Sequence, residues 1–456
     1  MNEWYEVDIE SLNLNGRGIG RRDGKRVHID GALPNERVRY TQVKSKENRE
    51  VGRLETLLRS SPERVTPKCP HFGYFQGACS ACSLQHLDAT AQLALKQKLL
   101  EEMLWEAAKV RPQTWLQPID GPIWNYRHRA RLSVRYVKRR GEILVGFHER
   151  ARSFVADIQS CSILAERVSD LLMPLRELVT GLSIRERLPQ IEVAVGDQAV
   201  VLVLRVLDEP SQNDCAAILA FGRKHDVSMW LQPRGPETIT PLDGDTEVLS
   251  LALPEFGITI PFAPTDFTQI NHQLNTILVK RVIELLEPEP DDVVVDFFCG
   301  LGNFTLPLAT RVAQVIGLEG SDRLVARAGQ AATLNGLSQR AVFAERNLFE
   351  WTTEDWDTLV NTYGDKNHET NQGIKRIDRV LIDPPRAGAL AVVQALATTQ
   401  SPPKRLVYVS CNPETLARDT AILVNEGGWR LQAAGIVNMF PHTAHMESIT
   451  VFEPPV

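Results

Sequence analysis

Residues 4–10, Trp-Tyr-Glu-Val-Asp-Ile-Glu, alternate apolar and polar side chains with a period of two, the pattern of a half-buried strand. Turn signals follow at Asn15-Gly16, Arg17-Gly18 and Asp23-Gly24, then short strand patterns at 27–29 and 37–40. Short strands parted by glycine turns, with interleaved Arg and Lys, predict a small β-barrel over 1–60. Pro62, Pro67 and Pro70 mark a linker. From Gln85 to Ala108, leucines at 87, 93, 95, 99, 100 and 104 recur near helical spacing. Between 165 and 260 helix-like and strand-like stretches alternate, with clear strands at 191–195 and 199–206. That stretch carries no evident chemistry, and Cys215 within it reads as core. Residues 61–261 are therefore expected to form a central α+β domain.

From about 262 the pattern turns βαβ. Phe267-Thr-Gln269-Ile-Asn271 precedes a helix through Leu286. Strand patterns follow at 293–297, 315–319, 341–344, 378–382 and 406–410. Continuous apolar runs of this kind suit a parallel sheet buried on both faces. The expected class is α/β, with a Rossmann-like domain over 262–456 behind the OB-like barrel and the central domain. Segment 351–376 is polar and reads as an irregular insertion.

Composition narrows the class without naming a function. The chain is 43% hydrophobic and 24% charged, with net charge −6, as in a globular protein with no bulk attraction to nucleic acid. It has no apolar run of membrane-spanning length and an acidic start, so a cytoplasmic protein with no membrane attachment and no obligate protein partner is expected. Charge is local instead. Between 121 and 152, nine Lys and Arg face only Glu142 and Glu149. Arg127, Arg129 and Arg131 alternate, so a strand puts all three on one face, a candidate phosphate-binding stripe beside Tyr126 and Tyr136.

Seven cysteines, an odd and clustered set, suit metal or catalysis better than disulfides. Cys69, Cys79 and Cys82 lie within fourteen residues, and Cys161 is the candidate fourth ligand. Four thiolates suit a four-iron cluster or structural zinc. Cys411 follows the apolar strand 406–410, and Pro413 ends it. Ligands of open α/β sheets gather at the carboxyl ends of strands, where a thiol could meet substrate. Taken alone, Cys411 could equally be a small buried hydrophobe. Asp296-x-x-x-Gly300-x-Gly302 after a strand is a nucleotide-binding turn, and Glu319 ends the next strand, where an acid can take ribose hydroxyls. Thr305 stands where a dinucleotide fingerprint has its third glycine, which favours a single nucleoside such as S-adenosylmethionine. Cys299, inside that turn, reads as packing.

Phe267-x-Gln269-x-Asn271, Asp296-x-x-Cys-Gly300-x-Gly302-Asn303-Phe304, Asp383-Pro-Pro-Arg386, Ser410-Cys411-Asn412-Pro413 and His445-Met446-Glu447-Ser448 together resemble the RNA uracil-C5-methyltransferase family. The barrel, which is similar to a TRAM domain, and the cysteine set resemble its bacterial 23S ribosomal RNA branch. The resemblance implies S-adenosylmethionine contacts at Gln269, Phe298, Asn303, Glu319, Asn347 and Asp383. It implies a [4Fe-4S] cluster on Cys69, Cys79, Cys82 and Cys161, a nucleophile at Cys411 and a base at Glu447. The implied partner is 23S ribosomal RNA.

The residue types suit that chemistry. Uracil C5 takes a methyl group only after a thiolate adds at C6, and a thiolate both attacks and leaves readily. A carboxylate shielded from water suits removal of the C5 proton. The same reaction on tRNA is the near alternative, disfavoured because that branch typically lacks the barrel and the cysteines. A non-catalytic iron–sulfur RNA-binding protein would leave Ser-Cys-Asn-Pro and Glu447 without purpose. Radical chemistry needs an open iron, and four thiolates fill every position. Two positions depart from the family pattern. Asn35 stands where TRAM domains usually carry glycine, and Tyr74-Phe75-Gln76-Gly77 lengthen the Cys69–Cys79 spacing. Gly73 and Gly77 are expected to fold that surplus outward.

Overall fold

The computed structural model describes residues 3–46, 49–244, 249–364 and 376–455. The chain forms two compact units: Met1–Leu95 with Pro122–Glu247 and Phe440–His445, and Lys96–Gly121 with Val248–Met439 and Met446–Val456. Contacts thus divide the chain elsewhere than at 60 and 261, because residues 96–121 and 440–445 cross between sequence blocks.

In the first unit, Trp4–Leu12, Gly18–Arg22, Lys25–Asp30, Arg37–Lys46 and Arg49–Arg59 close into a five-stranded barrel. The period-two alternation turns Val7, Ile9, Val27, Ile29, Val38 and Tyr40 into its core. Gly18 opens a strand rather than a turn, since Asn13 makes the reversal by accepting from the N–H groups of Asn15 and Arg17 on its side chain. Asn35 takes φ +67°, the left-handed backbone its position demands.

The same unit holds a six-stranded sheet in the order 240–241, 228–232, 200–205, 190–195, 129–137, 142–146. Ala130, Leu132 and Val134 face its core with Leu172, Leu175 and Val179 of the Leu172–Gly181 helix. Arg129, Arg131 and Arg135 take the opposite face of the strand. Cys215, on the Gln212–His225 helix, is only half-buried and lies outside the core.

The second unit is built on an eight-stranded sheet. Five parallel strands run in the spatial order 341–345, 314–319, 293–297, 379–382, 405–410. Antiparallel Glu447–Glu453 and Arg430–Val437 follow, then the short Thr114–Trp115. The central strands are wholly buried, which is why they read as unbroken Val/Ile/Leu runs. This is the expected Rossmann-like α/β architecture, with the strand order reversing at 293–297.

Two helix readings change. The long helix spans Ala89–Ala108 rather than starting at 85, because Asp88 caps it by accepting from the N–H groups of Thr90 and Ala91. Part of the polar segment 351–376 is also helical, at Thr353–Tyr363, where Thr352 and Asp355 form a capping box. Its Trp356 is fully buried and donates to the Ser401 carbonyl. Residues 365–375 of that segment lie outside the described residues. Among the described residues, no helix is long and apolar enough to cross a membrane.

Candidate functional site

Strand register assembles the candidate catalytic pair. Arg405–Ser410 and Glu447–Glu453 run antiparallel, with Leu406 opposite Phe452, Tyr408 opposite Thr450 and Ser410 opposite Ser448. The register thus brings Cys411, next after Ser410, and Glu447, next before Ser448, to the same end of the strand pair. Past Ser410 the chain turns sharply. The Ser410 hydroxyl donates to the Asn412 carbonyl and accepts from the Asn412 N–H. The Asn412 carboxamide oxygen caps the Pro413–Ala421 helix, with proline at the first helical position. Its amide nitrogen donates to the Arg386 carbonyl at 2.9 Å, tying this turn to the Asp383-Pro-Pro-Arg386 loop. From the helix, Asp419 accepts the Ala389 N–H, and Arg418 donates to the Ala387 carbonyl.

The electrostatics follow from burial. Glu447 is buried, its carboxyl is pushed up to about 7 by desolvation, and Oε2 has no hydrogen-bond partner among the described residues. Asp383 is raised well above the carboxylate range, first by burial and then by Glu447. Cys411 is half-buried, and burial, Glu447 and Asp383 together push its thiol up to about 11, while the Arg386 guanidinium pulls the other way. Two carboxyl groups and a thiol thus share one poorly solvated strand-tip site.

The nucleotide-binding turn sits beside it. Phe298, directly after the 293–297 strand, takes φ +62°, and its ring lies 5.8 Å from that of Phe349. Gly300 and Gly302 take φ +56° and +87°, and a Cβ on Gly300 would meet only open space. Glu319 holds this turn, accepting the Gly300 N–H on one oxygen and those of Gly320 and Ser321 on the other. Asn303 exchanges two hydrogen bonds with Asn275, at 2.8 and 2.9 Å. Gln269 is buried just before the His272–Leu286 helix, which Asn271 caps. Asn347 donates to Glu350. Asn271 Nδ2 and Asp296 Oδ1 are buried without a hydrogen-bond partner among the described residues. Open space at glycine backbone and orphaned polar atoms fit a polar nucleoside ligand. Cys299 is buried in the turn, and its N–H donates to the Leu318 carbonyl, so packing accounts for it.

In the other unit, Cys69, Cys79, Cys82 and Cys161 line one pocket with Phe72, Ile158 and Ile163. The thiols stand close enough to repel as thiolates, and burial pushes Cys79 up to about 11 and Cys82 up to about 12. Among the described residues, no group of three or more His, Cys, Asp or Glu is set at metal-holding geometry. The four sulfurs share a pocket without being drawn together as ligands. The surplus stretch folds outward only in part. Phe75 and Gln76 are exposed and Gly77 takes φ +92°. Tyr74 instead turns inward and donates to the Ser83 carbonyl.

The sequence pattern described as tRNA (Uracil-5-)-methyltransferase matches residues 88–453. The chain belongs to this family. The 23S rRNA (uracil(1939)-C(5))-methyltransferase RlmD of Bordetella avium is 52% identical over 452 residues, 98% of this chain and 90% of that protein. Its counterpart from Cupriavidus pinatubonensis is 51% identical over 458 residues, 98% of this chain and 95% of that one. Among solved structures, Pyrococcus abyssi tRNA (uracil-54, C5)-methyltransferase in complex with S-adenosyl-L-homocysteine matches with a TM-score of 0.71. It is 23% identical and covers 98% of this chain and 100% of its own.

That likeness in fold extends over the barrel as well. Three further residues stand at this site. Arg386 was seen only as part of a motif, yet it faces the Cys411 thiol. Asp296, raised to about 8 by burial with Asp383 and Glu319 nearby, accepts the Thr305 hydroxyl at 2.6 Å. Asn275 repeats Asn271 one helical turn on, and that i, i+4 spacing was its available signal.

Proposed function

We propose that this chain methylates C5 of a uridine in 23S ribosomal RNA, with S-adenosylmethionine as donor, Cys411 as nucleophile and Glu447 as base. The observation that carries the reading is that Cys411 and a buried Glu447 stand at the same end of one strand pair, close enough for Glu447 to raise the Cys411 thiol. The substrate class rests on relatives about half identical over almost the whole chain, named for 23S rRNA uracil C5. Support for tRNA comes from the description of the family pattern and a fold likeness at 23% identity, which carries less weight.

The donor supplies an electrophilic methyl group on a sulfonium. Gln269, Phe298, Asn303, Glu319, Asn347 and Asp383 would contact it. Cys411 first loses its thiol proton to solvent, and the thiolate then adds to C6 of a uridine flipped from its stack, which breaks the C5–C6 π bond and moves its electrons toward C5 and O4. C5 takes the methyl group as the methyl–sulfur bond of the donor breaks and its electron pair stays on that sulfur, and the carboxylate of Glu447 then accepts the C5 proton. The electron pair left behind restores the C5–C6 double bond and expels the Cys411 thiolate. In the free site the thiol is held protonated by burial and by two carboxyl groups. Arg386 opposes them. A Glu447 poised at about 7 can accept and later release a proton near neutral pH.

Cys69, Cys79, Cys82 and Cys161 would hold a four-iron, four-sulfur cluster, with zinc as the lesser fit. A shared pocket with four thiols and no competing carboxylate lining supports this. The cluster enters no step of methyl transfer. The barrel at 1–60, the cysteine-bearing region at 61–261 and the methyltransferase domain at 262–456 are read as two RNA-gripping parts and a catalytic part.

The test is mass mapping of 5-methyluridine in 23S rRNA and tRNA from a deletion strain. Loss of one 23S rRNA mark, restored by the gene, is expected. Loss confined to tRNA would overturn the substrate.

A further inference from the structure

Two loops beside the cysteine pocket interlock, and each lifts a phenylalanine into solvent. One carries Phe75. The other turns at 150–153, where Ala151 takes φ +58°. They are joined through backbone. The Ser80 N–H and hydroxyl both donate to the His148 carbonyl, at 3.0 and 2.9 Å. The Arg150 N–H donates to the Ala78 carbonyl at 2.8 Å. Arg150 then fastens the pair with its side chain. Its guanidinium donates to the carbonyls of Gly73 and Cys82 and lies 4.5 Å from the centroid of the Tyr74 ring. The loop tips therefore have a rigid base.

On that base Phe75 is 58% exposed and Phe154 60% exposed. A lone exposed apolar side chain is ordinary. Two phenyl rings on mutually fastened loops are a different matter, because neither ring gains the burial that would otherwise hold it. Their neighbours in sequence are polar: Gln76 follows Phe75, and Arg152 and Ser153 precede Phe154, all exposed, while the Glu149 N–H donates to the Phe154 carbonyl. A protein-docking patch would need contiguous apolar area, which these polar neighbours interrupt. Exposed aromatic rings with an exposed cation two residues from one of them instead match the way single-stranded nucleic acid is held, with bases stacked on rings and phosphate near the charge.

We propose that Phe75 and Phe154 are a stacking surface for unpaired bases of the RNA substrate, with Arg152 taking a neighbouring phosphate. This rests on the reading of the chain as an RNA methyltransferase and assigns part of its RNA grip.

The test measures binding of the full chain to a fluorescent single-stranded oligouridine and to an RNA duplex of equal length, over a range of salt. Changing both Phe75→Leu and Phe154→Leu keeps apolar bulk but removes the π-faces. Single-strand affinity should fall by about ten-fold or more, with the salt slope and duplex affinity unchanged. Arg152→Gln should lower the single-strand salt slope by about 0.7. Unchanged single-strand affinity in the double leucine variant would overturn the proposal, as would an equal loss on duplex, which marks a damaged fold or a protein-type surface. Wild-type methylation of 23S rRNA is scored in parallel. If that succeeds while binding by the variant is unchanged, only this inference falls. If wild type methylates no RNA, the function itself falls.

Discussion

Cys411 and Glu447 are each raised in pKa by the same burial, and that shared cause makes their roles separable by substitution. Cys411→Ala removes the sulfur that attacks C6 and leaves the nucleotide turn intact. Methyl transfer should drop by at least about four orders of magnitude, as for loss of a covalent nucleophile, while S-adenosylmethionine binding measured by calorimetry stays within about two-fold of wild type. Residual turnover of a few per cent would remove Cys411 from the reaction. Glu447→Gln should still add to C6 and then stall, so a protein–RNA adduct should accumulate on a denaturing gel. Normal product release would transfer the base role elsewhere. The same carboxyl also shapes stability. Its folded pKa of about 7 lies above the ordinary glutamate value of 4.5, so the folded state binds the extra proton between those values. Stability contributed by this site is therefore full below about 4.5 and is lost as pH rises through about 7. Glu447→Gln should raise stability at pH 8 by up to about 3 kcal/mol, read from urea midpoints, and change little at pH 4. A destabilised variant at pH 8 would mean that the carboxylate is satisfied in the fold.

At the scale of elements, local signals were legible where they were chemical and missed where they were short. The parallel strands announced themselves as apolar runs because both faces are buried. The Thr353–Tyr363 helix was hidden in a polar segment, since only Trp356, Leu359 and Val360 are buried on it. Its capping box was the readable sign. Thr352→Ala should cost about 1 kcal/mol in thermal or urea unfolding and leave methyl transfer unchanged. An unchanged midpoint would show that Trp356 burial alone sets the helix. Only part of the basic stripe lies on one strand face: Arg129 and Arg131 do, whereas Arg127 precedes the strand and makes an isolated bridge to Leu164. Arg131 is 76% exposed yet pairs with Glu192 at 3.0 Å. Arg127 donates to the Arg129 carbonyl and lies over the Phe147 ring. Burial lowers the pKa of Arg129. Only Arg131 and Arg135 are well exposed on this strand face. Replacing both with Gln should flatten the salt dependence of RNA binding by about two units of slope or less, not three. An unchanged slope would leave the stripe as a solvated face.

For the molecule as a whole, the cysteine pocket is the strongest test of the reading. Anaerobically purified protein should be brown and carry about four iron atoms per chain. Cys82→Ser should bleach it and lower the melting temperature, because Cys82 stands among the buried residues of that unit's core. Stoichiometric zinc without visible absorbance would keep the ligands and overturn the cluster. The division into two units also belongs to this scale. Residues 440–445 pack with the first unit, while Glu447 opens a strand of the second, so a single short segment serves both.

Residue types, their spacing along one chain and the period of apolar positions were enough to indicate an α/β methyltransferase fold, its glycine turn and a thiol at a strand tip. These depend on neighbours in sequence, where geometry is set by the backbone alone. The meeting of Cys411 with Glu447, thirty-six positions apart, depended on antiparallel register, and register is chosen by which side chains the sheet buries. The inward turn of Tyr74, the use of Arg150 as a fastener and the shift of Glu447 to about 7 likewise arise from desolvation and packing. Those quantities come into being only when distant segments exclude water from one another, so no local pattern could carry them.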